Sequence, residues 1–91
     1  MLAHYDSEAR SLAISLEADA SHRRVTEVAP NVIVGVRDGR AVFVEVIACD
    51  VVGLDGLGTA AREFGLDGDA LHAAARAAIA APDRDIDITV G

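Results

Sequence analysis

The sequence has no tryptophan, one tyrosine, two phenylalanines, two prolines and a single cysteine among its 91 residues. Each scarcity excludes something. One thiol, Cys49, cannot close an internal disulfide, which points to a reducing, cytoplasmic setting. Tyr5, Phe43 and Phe64 are the whole aromatic complement. The core must therefore be built from alanine and valine, and self-association would help to stabilise it. No apolar run approaches the roughly 18–20 residues of a membrane span. The opening Met1–Glu8 lacks the basic-then-apolar order of a signal peptide, so no membrane association is expected. Bases are scarce as well: eight against fifteen acids, a net charge of −7. Binding to nucleic acid rests on neutralising phosphates with arginine and lysine, so nucleic acid is not the expected partner and a basic protein fits better.

What the chain does have is a β-branched tract from Pro30 to Asp50. Two runs, Val32–Val36 and Ala41–Ile47, flank Asp38-Gly39, residues that tolerate the positive φ of a tight hairpin turn. Pairing outward from that turn sets Arg37 opposite Arg40, Val36 opposite Ala41, Val34 opposite Phe43 and Val32 opposite Glu45. Alternation then places Val32, Val34, Val36, Ala41, Phe43, Glu45 and Ile47 on one face, and Ile33, Gly35, Val42, Val44 and Val46 on the other. Both faces are apolar and both need cover. Glu45 falls among apolar neighbours. It is expected either at the sheet rim, paired with an arginine, or as a site carboxylate.

The rest of the chain supplies cover and edges. Met1–Tyr5 reads as a first strand, Asp6–Arg10 as a turn, and Leu12, Ile14 and Leu16 as the inward positions of a second strand. Glu17–Arg24 is a polar loop. Val25–Ala29 leads into the hairpin, with Pro30 holding Ala29 extended. Val52–Gly58, with three glycines, is a connector. Thr59 is placed to cap a short helix, Ala60–Phe64, stopped by Gly65. Asp67 caps a second helix, Gly68–Ala81, whose inward stripe is Leu71, Ala74, Ala75, Ala78 and Ile79. Pro82 ends it. Asp85–Val90 alternates strictly and reads as an edge strand, with Asp85, Asp87 and Thr89 on one face.

Tyr5-Asp6-Ser7-Glu8-Ala9, Leu12-x-Ile14-x-Leu16, Pro30-Asn31-Val32-Ile33-Val34, Asp38-Gly39-Arg40 and Glu45-Val46-Ile47, in that order, resemble the small bacterial family catalogued as domain of unknown function 2283. The likeness covers roughly the first fifty residues. This chain departs from the family pattern at Arg10 and Ser11 (usually Asp-Ala), at Gly35 (usually Asp) and at Phe43 (usually Gly). The resemblance implies a small β-rich fold and an antitoxin-like partner role, and it supplies no catalytic residues to carry over.

Candidate chemistry is sparse. His4, Asp6 and Glu8 alternate and, on an extended segment, would point the same way toward a divalent ion, but an Asp at a turn commonly bonds its own backbone. His22 and His72 have no partner at ligand spacing. Cys49 has no local base and reads as a small buried residue. Gly53–Gly58 lacks the Lys-Ser/Thr ending of a phosphate loop. Ala61, Gly65 and Leu71 have helix-turn-helix spacing. Yet the second helix offers Arg76 against Asp69, so a helical hairpin lying on the sheet is preferred.

The expectation is one α+β domain over residues 1–91, β-rich through residue 50 and helical with a final strand from residue 51. It has an antiparallel four-stranded meander centred on Asp38-Gly39, two helices over one face, and a homodimer burying the other. The expected function is a non-enzymatic protein-binding module, antitoxin-like, that neutralises a basic partner through contacts such as Glu45, Asp85 and Asp87, with no cofactor and no bound metal. The alternatives are a DNA-binding autoregulator using Ala61–Ala81 and a small metal-binding protein.

Overall fold

The computed structural model describes residues 1–88; Thr89 and Val90, expected to extend the last strand, lie outside them. Among the described residues the chain runs β1 (Leu2–Asp6), β2 (Ser11–Ser15), β3 (Arg24–Ala29), β4 (Val32–Arg37), β5 (Arg40–Val46), α1 (Cys49–Val52), α2 (Asp55–Phe64), α3 (Gly68–Ala80) and β6 (Asp85–Asp87). The strands form one antiparallel six-stranded sheet in the order β3-β4-β5-β2-β1-β6. The fold is α+β, as expected. The four-stranded meander is not: β2 pairs with β5 and β1, and the chain then crosses to the far edge to start β3. Only β3-β4-β5 is a meander.

The hairpin turn is as the sequence predicts, with φ of 54° at Asp38 and 77° at Gly39. Its register is not. Arg37 opposes Arg40 and Val36 opposes Ala41, but Gly35 then opposes Phe43, Val34 opposes Val44, and Val32 opposes Val46. Val42 is the extra residue of a β-bulge, and one added residue turns every later side chain of β5 to the other face. Val44 and Val46 therefore join Val32, Val34 and Val36 in the core, while Phe43 and Glu45 move outward with Ile33 and Gly35.

Both longer helices lie on the core face, α2 against β3, β4 and β5 and α3 against β1, β2 and β6. Leu12 and Ile14 of β2 meet Leu57, Ala60, Leu71, Ala74, Ala75 and Ala78 there, all fully buried. The small alanine side chains let the helices settle close to the valines, which is how a chain poor in aromatics fills a core. Helix α2 starts well before the expected Ala60, and Thr59 is inside it, accepting from Arg62 Nη2 at 3.3 Å. Of the glycines that suggested a connector, Gly56 is used for proximity: a methyl there would overlap Val32 Cγ2. Gly65 is the left-handed stop, and Asp67 caps α3 by accepting from the Ala70 N–H at 3.1 Å. Ile79, expected in the inward stripe, is 38% exposed. The turn α1 is an addition to the expected elements. Cys49 is buried, as expected, with its N–H donating to the Arg10 carbonyl at 2.9 Å.

Candidate protein-binding face

The side of the sheet away from the helices carries two parallel rows of side chains, set by the strand registers. One runs Glu27, Ile33, Glu45, Ala13, His4, Asp85 from β3 to β6. Its neighbour runs Val25, Gly35, Phe43, Ser15, Leu2, Asp87. This outer face is mixed where the sequence suggested it would be greasy, because the bulge at Val42 sends Phe43 and Glu45 out and Val44 and Val46 in.

The expected site residues are all here. Glu45 sits in mid-sheet, half-buried between Ile33 and Ala13, and forms no ion pair among the described residues. That corrects its placement with Val32 and Ile47 at a rim or beside an arginine. Asp85 and Asp87 are exposed on β6, three strands away, roughly 14 Å at the usual interstrand spacing. They share a face with Glu45 without sharing a pocket. His4 Nδ1 donates to Asp85 Oδ1 at 3.0 Å.

One end of the face is covered by the β2–β3 loop. Glu17 accepts from Arg40 Nε at 2.7 Å and Arg40 Nη2 at 2.9 Å, and from Arg37 Nη2 at 3.3 Å. The Arg40 hydrogen bond holds the Glu17 carboxyl below the usual carboxylate range, and Glu17 in turn raises Arg40. Asp19 pairs with Arg37 at 3.2 Å, and the Ser21 hydroxyl and N–H beside it lower its pKa. The His22 ring lies over Gly35 and stacks on Phe43. This network was missed in the sequence. Its signal was the arginine on each side of the Asp38-Gly39 turn, two like charges that need a shared carboxylate.

Asp6 Oδ1 accepts from the N–H groups of Glu8 and Ala9, each at 3.0 Å, so it closes the β1–β2 turn. Among the described residues no three His, Cys, Asp or Glu side chains gather at metal-binding distance. Ala61, Leu71, Ala74, Ala75 and Ala78 of the helix-turn-helix-like segment face the sheet, which makes it the helical hairpin that covers the core. Among the described residues no helix is long and apolar enough to cross a membrane. A groove of about 940 Å³ opens beside the turn end of the sheet, lined by Arg23, Arg24 and Arg37 together with Asp19 and Asp38. Of these charges only Arg37 and Asp19 form an ion pair.

Comparison with protein-family models, curated proteins and solved structures finds no match to this chain.

Proposed function

We propose that this chain is a protein-binding module, antitoxin-like, that takes a cationic partner on the outer face of its sheet. The observation behind this reading is the row that aligns Glu27, Glu45 and Asp85, beside a row that offers Val25, Phe43, Leu2 and Asp87. Half-exposed apolar side chains supply area to desolvate, while the carboxylates select for positive charge and repel acidic competitors. Two nearby cations, Arg37 and Arg40, are already held by Glu17 and Asp19, while Glu27 and Glu45 have no ion-pair partner among the described residues.

The geometry suits a basic amphipathic helix laid across the strands. Glu45 and Asp85, roughly 14 Å apart along a row, match two cations about ten residues apart on such a helix at 1.5 Å per residue. The antitoxin-like part of the reading rests on the family resemblance. The test is coexpression with the product of the adjacent gene, followed by amide-shift mapping of the complex. Relief of growth arrest, with shifts at residues 25–27, 33, 43–45 and 85–87, is the expected result. Loss of that relief in Glu45→Lys/Asp85→Lys, with an unchanged melting curve, completes it. No complex with that product, or shifts confined to α2 and α3, overturns the reading.

A further inference from the structure

We infer that a second copy of this chain docks on the free edge of β3, antiparallel to it, about a two-fold axis through Val25. The two edges of the sheet differ in kind. Among the described residues β6 covers three, Asp85–Asp87, and carries two carboxylates, the charges that guard an edge against pairing. β3 is twice as long, is hydrogen-bonded to β4 alone, and exposes Arg24 through Glu27. Val25 is 61% exposed there, an apolar β-branched side chain on an open edge.

The register follows from charge and symmetry. A two-fold axis that extends the sheet runs perpendicular to it and keeps each side chain on its own face, so the axis must pass through a residue of β3. The bulge between Glu27 and Ala29 limits regular pairing to Arg24–Glu27. An axis at Arg24 sets that cation against itself, and one at Glu27 does the same with the carboxylate. An axis at Thr26 sets Glu27 against Val25. An axis at Val25 pairs the valine with its counterpart, sets Arg24 against Thr26, and brings Arg23, in the bend just before β3, within side-chain reach of Glu27 at both ends. Neither Arg23 nor Glu27 has an oppositely charged group within salt-bridge distance among the described residues. Opposite charges brought together favour that register; like charges facing oppose the axes at Arg24 and Glu27, and the Thr26 axis leaves Glu27 facing a valine with no charge to answer it.

The arrangement also brings α2, which lies against β3, alongside its counterpart. It joins the two sheets edge to edge and leaves both outer faces open. The inference shares Val25 and Glu27 with the end of the rows assigned to a partner, but it needs no other protein, so sedimentation of the chain alone distinguishes its failure from the failure of that reading.

Sedimentation equilibrium on the whole chain tests it, with twice the 9.4 kDa monomer mass expected. Val25→Arg is expected to give a monomer with an unchanged melting curve. Glu27→Arg weakens association at least tenfold, and Arg23→Glu with Glu27→Arg restores it. Val25→Cys crosslinks to its own copy on mild oxidation, because opposed Cα atoms in an antiparallel pair are about 4.5–5.5 Å apart, within disulfide reach. Thr26→Cys, two positions out of register with its counterpart, does not. A monomeric wild type overturns the inference. So does a dimer that Thr26→Cys locks more readily than Val25→Cys, or one that crosslinks through Leu2→Cys on the outer face instead.

Discussion

The imidazole of His22 stacks on Phe43 with ring centroids 5.4 Å apart and planes 17° from parallel, and the same ring covers Gly35, the residue opposite Phe43 in the ladder. Three His22 ring atoms lie 2.7–2.9 Å from where a Gly35 Cβ would stand. Gly35, Phe43 and His22 form one unit. A glycine on β4 leaves the recess and an aromatic on β5 supplies the floor for a histidine from the β2–β3 loop. Gly35→Ala is therefore expected to lift the loop at a cost of about 1 kcal/mol, the low end for an overfilled site because the loop can move. Hydrogen exchange over residues 17–23 should quicken. Unchanged protection there would show that the ring does not hold the loop.

Gly56 and Gly58, two residues apart in α2, should respond oppositely to the same change. Gly56→Ala forces a methyl into Val32 and pushes α2 off the sheet, for a loss of about 1–3 kcal/mol in denaturant unfolding. At Gly58 the nearest atom to an added Cβ is Arg62 Nη1 at 3.6 Å, ordinary contact. Gly58→Ala should stabilise the helix by about 0.5–1 kcal/mol. Equal effects at the two sites would contradict the close approach at Val32.

Asp83 ties the entry of β6 to the β1–β2 turn. Its carboxylate accepts from the Ser7 hydroxyl at 2.6 Å and the Ser7 N–H at 2.9 Å, and these bonds lower its pKa from the ordinary 3.8. A carboxyl depressed in the folded state adds stability at pH values above its unfolded pKa, and that contribution disappears as pH falls through the folded value. Asp83→Asn keeps a residue suited to the φ of 65° at this position. Its melting temperature is expected to fall below wild type at neutral pH, with the gap closing as acid is added below 3.8. A gap that persists at the lowest pH would assign the effect to shape and not to charge.

Cys49 is 5% exposed, and burial, together with the neighbouring Asp50 carboxylate, raises its thiol pKa. Native protein at neutral pH should therefore resist a thiol reagent, and the labelling rate should rise with denaturant in step with unfolding. Rapid labelling of the folded chain would place the thiol in an opening that the fold does not provide.

The parts of this fold that were legible in the sequence are the ones written in local chemistry. Asp38-Gly39, Gly65 and Asp67 each announce a backbone geometry that only a few residue types accept, and each is found where expected. Leu12, Ile14, Leu71 and Ala74 keep the period of their element and reach the core. Val42 did not show itself, because a bulge residue in an unbroken run of β-branched side chains breaks no pattern. That single residue decided the placement of Glu45. The position of β2 was hidden for a different reason: period-two alternation says that a strand has two faces, not which strands lie beside it. Gly56 misled because glycine reads as a joint when it can equally be a point of close approach, and Gly58 because a helix held by packing tolerates a glycine that nothing requires. As for the site, Glu45, Asp85 and Asp87 were picked out for their charge. That they share a face followed only from registers spanning the sheet.

The insertion of β2 between β5 and β1 carries a consequence for how the molecule assembles. The β1–β2 hairpin and the β3-β4-β5 meander are each closed by short turns and can form early, but the seam between them joins residues as distant as Leu12 and Val46. Ordering the chain between them costs entropy before any contact across the seam repays it. The slow step of folding is expected to be the meeting of two preformed halves, with high φ-values at Leu12, Ile14, Val44 and Val46 and the Asp38-Gly39 turn complete before it.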